Sequence, residues 1–234
     1  MGVKMGDIIL QAENVHKKFM IDKKSNIQLH VLKGISLKIF QGQIVAIVGA
    51  SGAGKSTLLH ILGGLDRPNI GEVYWGEKNI FKMNDDELSK LRTREVGFVF
   101  QFHHLLNEFT AIENVAIPKM ITGVSLVEAL KDAENIMKLV GLSERIHHKP
   151  NELSGGEQQR VAIARAMVNN PRIILADEPT GNLDSKTSDE LFELIKTLNR
   201  DKGQTFIIAT HNEKLAERSD RILKIVDGYI TSET

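Results

Sequence analysis

Apolar residues recur along this chain with two different periods. Ile44 to Val48 is an unbroken apolar, mostly β-branched run, the pattern of a strand buried on both faces. Ser56 to Leu65 follows with apolar residues at helical spacing. Upstream, Ile8 to Phe19 and Leu29 to Ile39 read as strands, the second alternating Ile35, Leu37 and Ile39 against Ser36 and Lys38 before Gln41-Gly42 turn the chain. Downstream, Asn69-Ile70-Gly71 and Trp75-Gly76-Glu77 bracket a short strand, Glu72 to Trp75, which predicts a small antiparallel sheet. Asp85 to Arg94 is charged and predicts a solvated helix, and Gly97 to Phe100 is a buried strand ending at Gln101.

From Phe102 to Asn170 the pattern becomes helical. Leu126, Leu130, Ala133, Ile136, Met137 and Val140 recur at helical spacing before Gly141, and Val161, Ala164, Arg165 and Val168 predict a further helix. After Pro171 come a strand at Ile173 to Ala176, a helix from Ser185 to Arg200, a strand at Thr205 to Ala209, a short helix, and a strand pair turning at Asp227-Gly228. This alternation predicts an α/β fold: a mainly parallel sheet formed by 1–101 and 171–234, an antiparallel β subdomain, and a helical subdomain inserted at 102–170. Ligands of such sheets bind at the carboxyl ends of the strands. Gly49, Gln101, Asp177 and His211 directly follow predicted strands, so they should gather on one edge.

Composition narrows the classes without choosing among them. The 234 residues are 41% hydrophobic, enough for one domain with its own core. Thirty basic and thirty acidic residues give zero formal charge, so no global field favours nucleic acid or an anionic membrane. The absence of cysteine excludes disulfides and thiolate metal sites. Met1 to Asp7 has no secretory apolar core, and no run approaches the roughly 20 apolar residues of a spanning helix. The expectation is a soluble, cytoplasmic chain.

The candidate chemistry begins at Gly49-Ala50-Ser51-Gly52-Ala53-Gly54-Lys55-Ser56-Thr57, which fits G-x-x-x-x-G-K-[ST] and joins a buried strand to a helix N-terminus. Unpaired N–H groups and the positive end of the helix dipole converge there, and glycine lets the backbone close around a polyphosphate. Lys55 would reach the β- and γ-phosphate oxygens, and the Ser56 hydroxyl would ligate a bridging Mg²⁺. Asp177, at a strand end, is placed to hold that Mg²⁺ through its water shell. Glu178, one residue on, could aim and deprotonate an attacking water. Phe19 either stacks on a nucleobase or is an ordinary core aromatic.

Leu153-Ser154-Gly155-Gly156-Glu157 contains a capping box, S-x-x-E, that by itself explains a helix start running to Met167. The box does not explain two glycines, each costing up to ~1 kcal/mol relative to alanine in the first turn. They would admit a second phosphate to a helix N-terminus. Two copies of the chain could then lend each other a cradle, with nucleotide sandwiched between.

Together these motifs resemble the ATPase subunit of ATP-binding cassette (ABC) transporters, and the likeness runs from about Ile9 to Ile230. It rests on the phosphate loop, Gln101 after a strand, Leu153 to Glu157, the Asp177-Glu178 strand end, Asp184 in the following loop, and His211. The resemblance implies ATP and Mg²⁺ as ligands and a head-to-tail homodimer with two ATP molecules in its interface. Lys55, Ser56, Gln101, Asp177, Glu178 and His211 of one copy would face Ser154, Gly155 and Gly156 of the other. It also implies Gln101 as a metal ligand, His211 as a catalytic partner of Glu178, Asp184 near the nucleotide, and Phe19 at the adenine-stacking position.

Within the family the stretches Leu58 to Asp66, Gln101 to Leu106 and Asp177 to Asp184 look most like subunits that power lipoprotein release from the inner membrane. The last stretch is shared with macrolide-export and cell-division subunits, which stay as alternatives. The implied partners are integral membrane permease subunits, reached from the cytoplasmic face through the helical insertion. Leu105, Leu106 and Phe109 are either its docking residues or part of the insertion's own core. A soluble ATPase acting on nucleic acid usually carries a coiled-coil insertion or a second cassette, and this chain has neither. His103-His104 and His147-His148 lack a third ligand at fitting spacing and read as exposed or polar-packed histidines.

Overall fold

A computed structural model describes residues 7–22 and 27–234. Residues 1–6, which include most of the stretch read above as lacking a secretory core, lie outside that range. Elements follow in the order β1 (Ile8–Asp22), β2 (Ile27–Phe40), β3 (Ile44–Val48), α1 (Lys55–Leu62), β4 (Ile70–Trp75), β5 (Lys78–Asn79), α2 (Asp85–Glu95) and β6 (Val96–Val99). Three helices come next: α3 (Ala111–Ile121), α4 (Leu126–Leu139) and α5 (Gly155–Met167). The chain ends with β7 (Ile173–Asp177), α6 (Ser185–Lys202), β8 (Thr205–Thr210), α7 (Glu213–Ala216), β9 (Arg221–Val226) and β10 (Tyr229–Glu233).

Two sheets organise the molecule. The main one has the strand order β10-β9-β3-β8-β7-β6, parallel throughout except for the β9–β10 hairpin. The smaller one, β2-β1-β4-β5, is antiparallel. The period-2 geometry of a strand divides the apolar residues of the main sheet between its faces. Ile174, Ala176, Phe206 and Ile208 pack with α3 to α6, whereas Ile173, Leu175, Ile207 and Ala209 pack with α1 and the antiparallel sheet. Covered on both faces, β3 and β8 are buried at every position, which is why their sequence is a continuous apolar run rather than an alternation. Trp75 of β4 ties the antiparallel sheet to α1 by donating its indole N–H to the Leu62 carbonyl at the end of that helix, 2.8 Å away.

The helical elements agree with the sequence pattern except at α3, which that pattern did not resolve as a helix. Pro118 lies inside it and lacks the N–H that would bond one turn back. Packing outweighs that loss. Ala111, Ile112, Val115 and Ala116 are buried against the core, and the buried Asn114 side chain bonds both the Leu106 N–H and the carbonyls of Leu106, Phe109 and Thr110. One polar side chain thereby fixes the loop leading into α3.

Candidate functional site

The turn between β3 and α1 opens onto a cleft of about 800 Å³ whose lining includes Phe19, Ser51, Lys55, Gln101, Glu178 and His211. Gly52, Gly54, Ser56 and Thr57 also line it, while Gly49, Ala50 and Ala53 face an adjoining hollow. Gly54 stands at the helix cap with φ 107° and supplies no side-chain hydrogen bond. That conformation favours glycine, and it leaves the first N–H groups of α1 without an intrahelical acceptor at the mouth of the cleft. A polyanion is the natural complement of this end.

Lys55 is only 7% exposed. Its Nζ donates to the carbonyls of Gly49 at 2.9 Å and Ala50 at 3.1 Å, and lies 3.9 Å from Glu178 Oε1. The ammonium is thus folded back over its own loop, within a side-chain rotation of the cleft. Glu178 takes φ 47°, a left-handed conformation for a non-glycine residue, which costs on the order of 1 kcal/mol. Its N–H bonds the Ala209 carbonyl, which ties the strained residue to β8. Oε2 of Glu178 lies 2.9 Å from His211 Nδ1 and accepts the His211 backbone N–H at 3.3 Å. The residue and its carboxylate are therefore held at the edge of the cleft by β8 and the histidine that follows it.

Asp177 Oδ1 is buried and has no hydrogen-bond partner. An orphaned buried acceptor is costly, and a divalent cation or its bound water would satisfy it. The Ser56 hydroxyl is exposed at the start of α1, and Gln101 reaches the same cleft. One carboxylate, one hydroxyl and one carboxamide, completed by phosphate oxygens and water, fit Mg²⁺, which keeps few protein ligands. Among the described residues no group of three or more His, Cys, Asp or Glu side chains forms a self-sufficient metal cage.

Phe19 is 41% exposed, so the reading of it as a core aromatic fails. Lys17 Nζ sits 5.0 Å from its ring centroid and is itself anchored by Asp66 Oδ1 and the Arg67 carbonyl, at 2.6 and 2.8 Å. Sequence reasoning passed over this support, although Lys17 and Phe19, two residues apart on one strand, share a face.

Five residues singled out from sequence line neither this cleft nor the adjoining hollow: Ser154, Gly155, Gly156, Asp184 and Asp177, the last directly preceding the cleft-lining Glu178. Ser154 caps α5, with reciprocal bonds between its side chain and the Glu157 N–H and between its N–H and the Glu157 carboxylate. Hydrogen bonds hold the Glu157 carboxyl below its ordinary range against the opposing effect of burial, chiefly the one from that Ser154 N–H and with help from Arg145. The capping box does leave Gly156 unexplained, but the expectation that only a phosphate would require it fails. Gly156 has a packing reason to be glycine, because a Cβ there would stand 2.4 Å from Thr187 Cγ2 of α6. Gly155 is exposed, its nearest neighbour Leu183 at an ordinary 3.4 Å, and packing alone does not require it. Asp184 caps α6 by accepting from the Thr187 N–H and hydroxyl, which lower its pKa.

Leu105 packs against the core, whereas Leu106 and Phe109 are exposed. The core alternative for this trio thus holds for Leu105 and fails for Leu106 and Phe109. No helix among the described residues is long and apolar enough to cross a membrane.

A family model described as ABC transporter matches residues 32–181. The lipoprotein-releasing system ATP-binding protein LolD of Geobacter metallireducens is 54% identical over 206 residues, covering 88% of this chain and 92% of its own length. Among solved structures, the dimeric post-hydrolysis state of the ATP-binding cassette MJ0796 bound to ADP and Pi matches with a TM-score of 0.87 and 42% identity, over 96% of this chain and 97% of that one. The cbiO1 protein of Clostridium perfringens, part of the ABC transporter complex cbiONQ, matches with a TM-score of 0.85 and 29% identity, over 97% and 88%.

Proposed function

This chain belongs to the ABC transporter family, and from that premise we propose that it is the ATP-hydrolysing subunit of a transporter that releases lipoproteins from the inner membrane. The observation that carries the ATPase reading is a single cleft. It joins an uncapped helix N-terminus, a buried lysine and a glutamate fixed by histidine, and the residue before that glutamate, Asp177, carries an orphaned buried oxygen. The lipoprotein reading rests on the 54% identity to LolD.

In this account the adenine stacks on Phe19 and the triphosphate lies along the loop 49–57. Lys55 swings from the Gly49 and Ala50 carbonyls to the β- and γ-phosphate oxygens. Ser56, Gln101 and Asp177 hold Mg²⁺, which neutralises phosphate charge when bound. Glu178, oriented by His211, aims a water at the γ-phosphate and takes its proton. The Ser154 to Gly156 end of α5 completes the site from a second copy, so that two chains enclose two nucleotides head to tail. That copy is needed because α5 does not line the cleft of its own chain.

The motor acts peripherally at the cytoplasmic face, on permease subunits of the LolC and LolE type. The insertion at 102–170 is its docking side. Exposed Leu106 and Phe109, with a groove holding Phe98, Pro118 and Ile121, offer the apolar contacts.

Depleting the chain from cells tests the function. Lipoproteins should accumulate in the inner membrane, and the tagged chain should purify with membrane proteins and show ATPase activity. Normal lipoprotein sorting after depletion would overturn the transport reading while leaving the ATPase reading in place.

A further inference from the structure

Asn182 and Gln101, 81 residues apart, are joined by two hydrogen bonds. The Asn182 Nδ2 donates to the Gln101 backbone carbonyl at 3.2 Å, and the Gln101 Nε2 donates to Asn182 Oδ1 at 3.1 Å. The fit is close, since a Cβ on the neighbouring Gly181 would stand 2.9 Å from Gln101 Nε2.

The chemistry of these groups gives the pair a direction. A backbone carbonyl can only accept, so the Asn182 amide must turn its nitrogen toward it. The oxygen of that amide is then the end that meets the Gln101 side chain, and it too can only accept. Gln101 must therefore offer its nitrogen to Asn182, which leaves Oε1 as the free end of its carboxamide. Among the described residues Oε1 receives no hydrogen bond. A hard divalent cation binds the oxygen of an amide and not its nitrogen. An unrestrained glutamine would present either end.

We propose that Asn182 is a positioning residue for the metal site: it fixes the Gln101 carboxamide with its oxygen toward the cation. The inference deepens the reading of Gln101 as a metal ligand and rests on it. Asn182 lies in the turn that follows Glu178 and precedes the Asp184 cap of α6. The same pair of bonds thus links the position of the metal ligand to the segment carrying the base.

The test is binding of Mn²⁺ to the ATP complex of the full-length chain, read by electron paramagnetic resonance in a Glu178→Gln background to prevent turnover. Metal-free ATP affinity, measured by calorimetry in excess chelator, is the control. Asn182→Ala should weaken Mn²⁺ binding roughly tenfold, as loss of a group that orients a metal ligand does, and leave metal-free ATP affinity unchanged. In a Gln101→Glu background, where both ends of the side chain are oxygen, Asn182→Ala should no longer weaken Mn²⁺ binding. Unchanged Mn²⁺ affinity in Asn182→Ala, or an equal loss in the Gln101→Glu background, would overturn the proposal. Gln101→Ala separates the two levels. If it too leaves Mn²⁺ binding intact, Gln101 is not a ligand and the underlying reading fails. If it weakens binding while Asn182→Ala does not, only the positioning role is lost.

Discussion

Nδ1 of His211 lies 2.9 Å from Glu178 Oε2, and the backbone N–H of the same histidine points at that oxygen from 3.3 Å. One residue therefore grips one carboxylate oxygen twice, once through a side chain and once through the main chain. The other oxygen, 3.9 Å from Lys55 Nζ, remains the end from which a water could be addressed. Removing the imidazole leaves the main-chain contact, so His211→Ala should bind ATP normally. Single-turnover hydrolysis should slow by roughly 10²-fold or more, within the usual span of general-base effects. Glu178→Gln should be slower still and should accumulate as an ATP-bound dimer on size-exclusion chromatography. Near-normal turnover in Glu178→Gln would remove it from the base role.

Gly156 combines two demands that mutation can separate. A methyl at this position meets Thr187 Cγ2 at 2.4 Å, and overpacking of this kind costs roughly 1–3 kcal/mol, against up to ~1 kcal/mol gained in helix propensity. Gly156→Ala should lower Tm. Thr187→Ser deletes the obstructing methyl and keeps the hydroxyl that bonds Asp184, so the double variant should recover Tm. ATP-driven dimerisation in the Glu178→Gln background should stay impaired in the double variant. Recovery of both would show that glycine serves packing alone.

The contrast at Gly156 shows where the sequence was legible. β3, β7 and β8 could be read because strands covered on both faces become continuous apolar runs, and the loop 49–57 because its spacing falls between such a run and a helix. Of the four residues assigned to one edge because they follow strands, Gln101 and His211 line the cleft and Gly49 the adjoining hollow, whereas Asp177 lines neither and its neighbour Glu178 faces the cleft. Contacts that depend on which helix lies beside which were out of reach. Thr187 explains Gly156 only once α5 and α6 are packed, and Asn182 gains its partner only when the turn after β7 approaches the end of β6. Pro118 sits inside α3 against a local rule that tertiary burial overrides. The shared site proposed for Ser154 and Gly155 needs a second copy and lies beyond any single copy of the chain.

The cap of α5 should leave a mark on acid stability. Glu157 has its carboxyl held below the ordinary 4.5, first by the Ser154 backbone N–H and further by Arg145. A group with a depressed folded pKa contributes its full stabilisation above the unfolded value and loses it as pH falls through the folded one. The contribution is therefore present at neutral pH and declines below about pH 4.5. Glu157→Gln keeps an acceptor for the cap but has no proton to gain. Thermal melts between pH 3 and 7 should show Tm falling less steeply below pH 4.5 in this variant than in the parent. The slope should not vanish, since Glu113 and Asp184 are lowered in the same way. Parallel curves would mean that the Glu157 charge adds nothing to the cap.

Phe19 allows nucleobase binding to be separated from phosphate binding. Its ring is 41% exposed and lies in the same cleft as Lys55, while Lys17, tied to Asp66 and the Arg67 carbonyl, holds a cation 5.0 Å from the ring centroid. Truncating so exposed a ring should shift stability by no more than about 0.5 kcal/mol. Stacking of a base on an aromatic side chain contributes roughly 1–3 kcal/mol by alanine substitution, which corresponds to a loss of about 5- to 150-fold in affinity. Phe19→Ala should therefore bind ATP more weakly by an amount in that range and bind inorganic tripolyphosphate as the parent does, both measured by calorimetry. Phe19→Trp should retain or tighten ATP binding, because a larger ring keeps the platform. If Phe19→Ala weakened tripolyphosphate as much as ATP, the ring would be shaping the phosphate loop from a distance, and the adenine would have to lie elsewhere in the cleft.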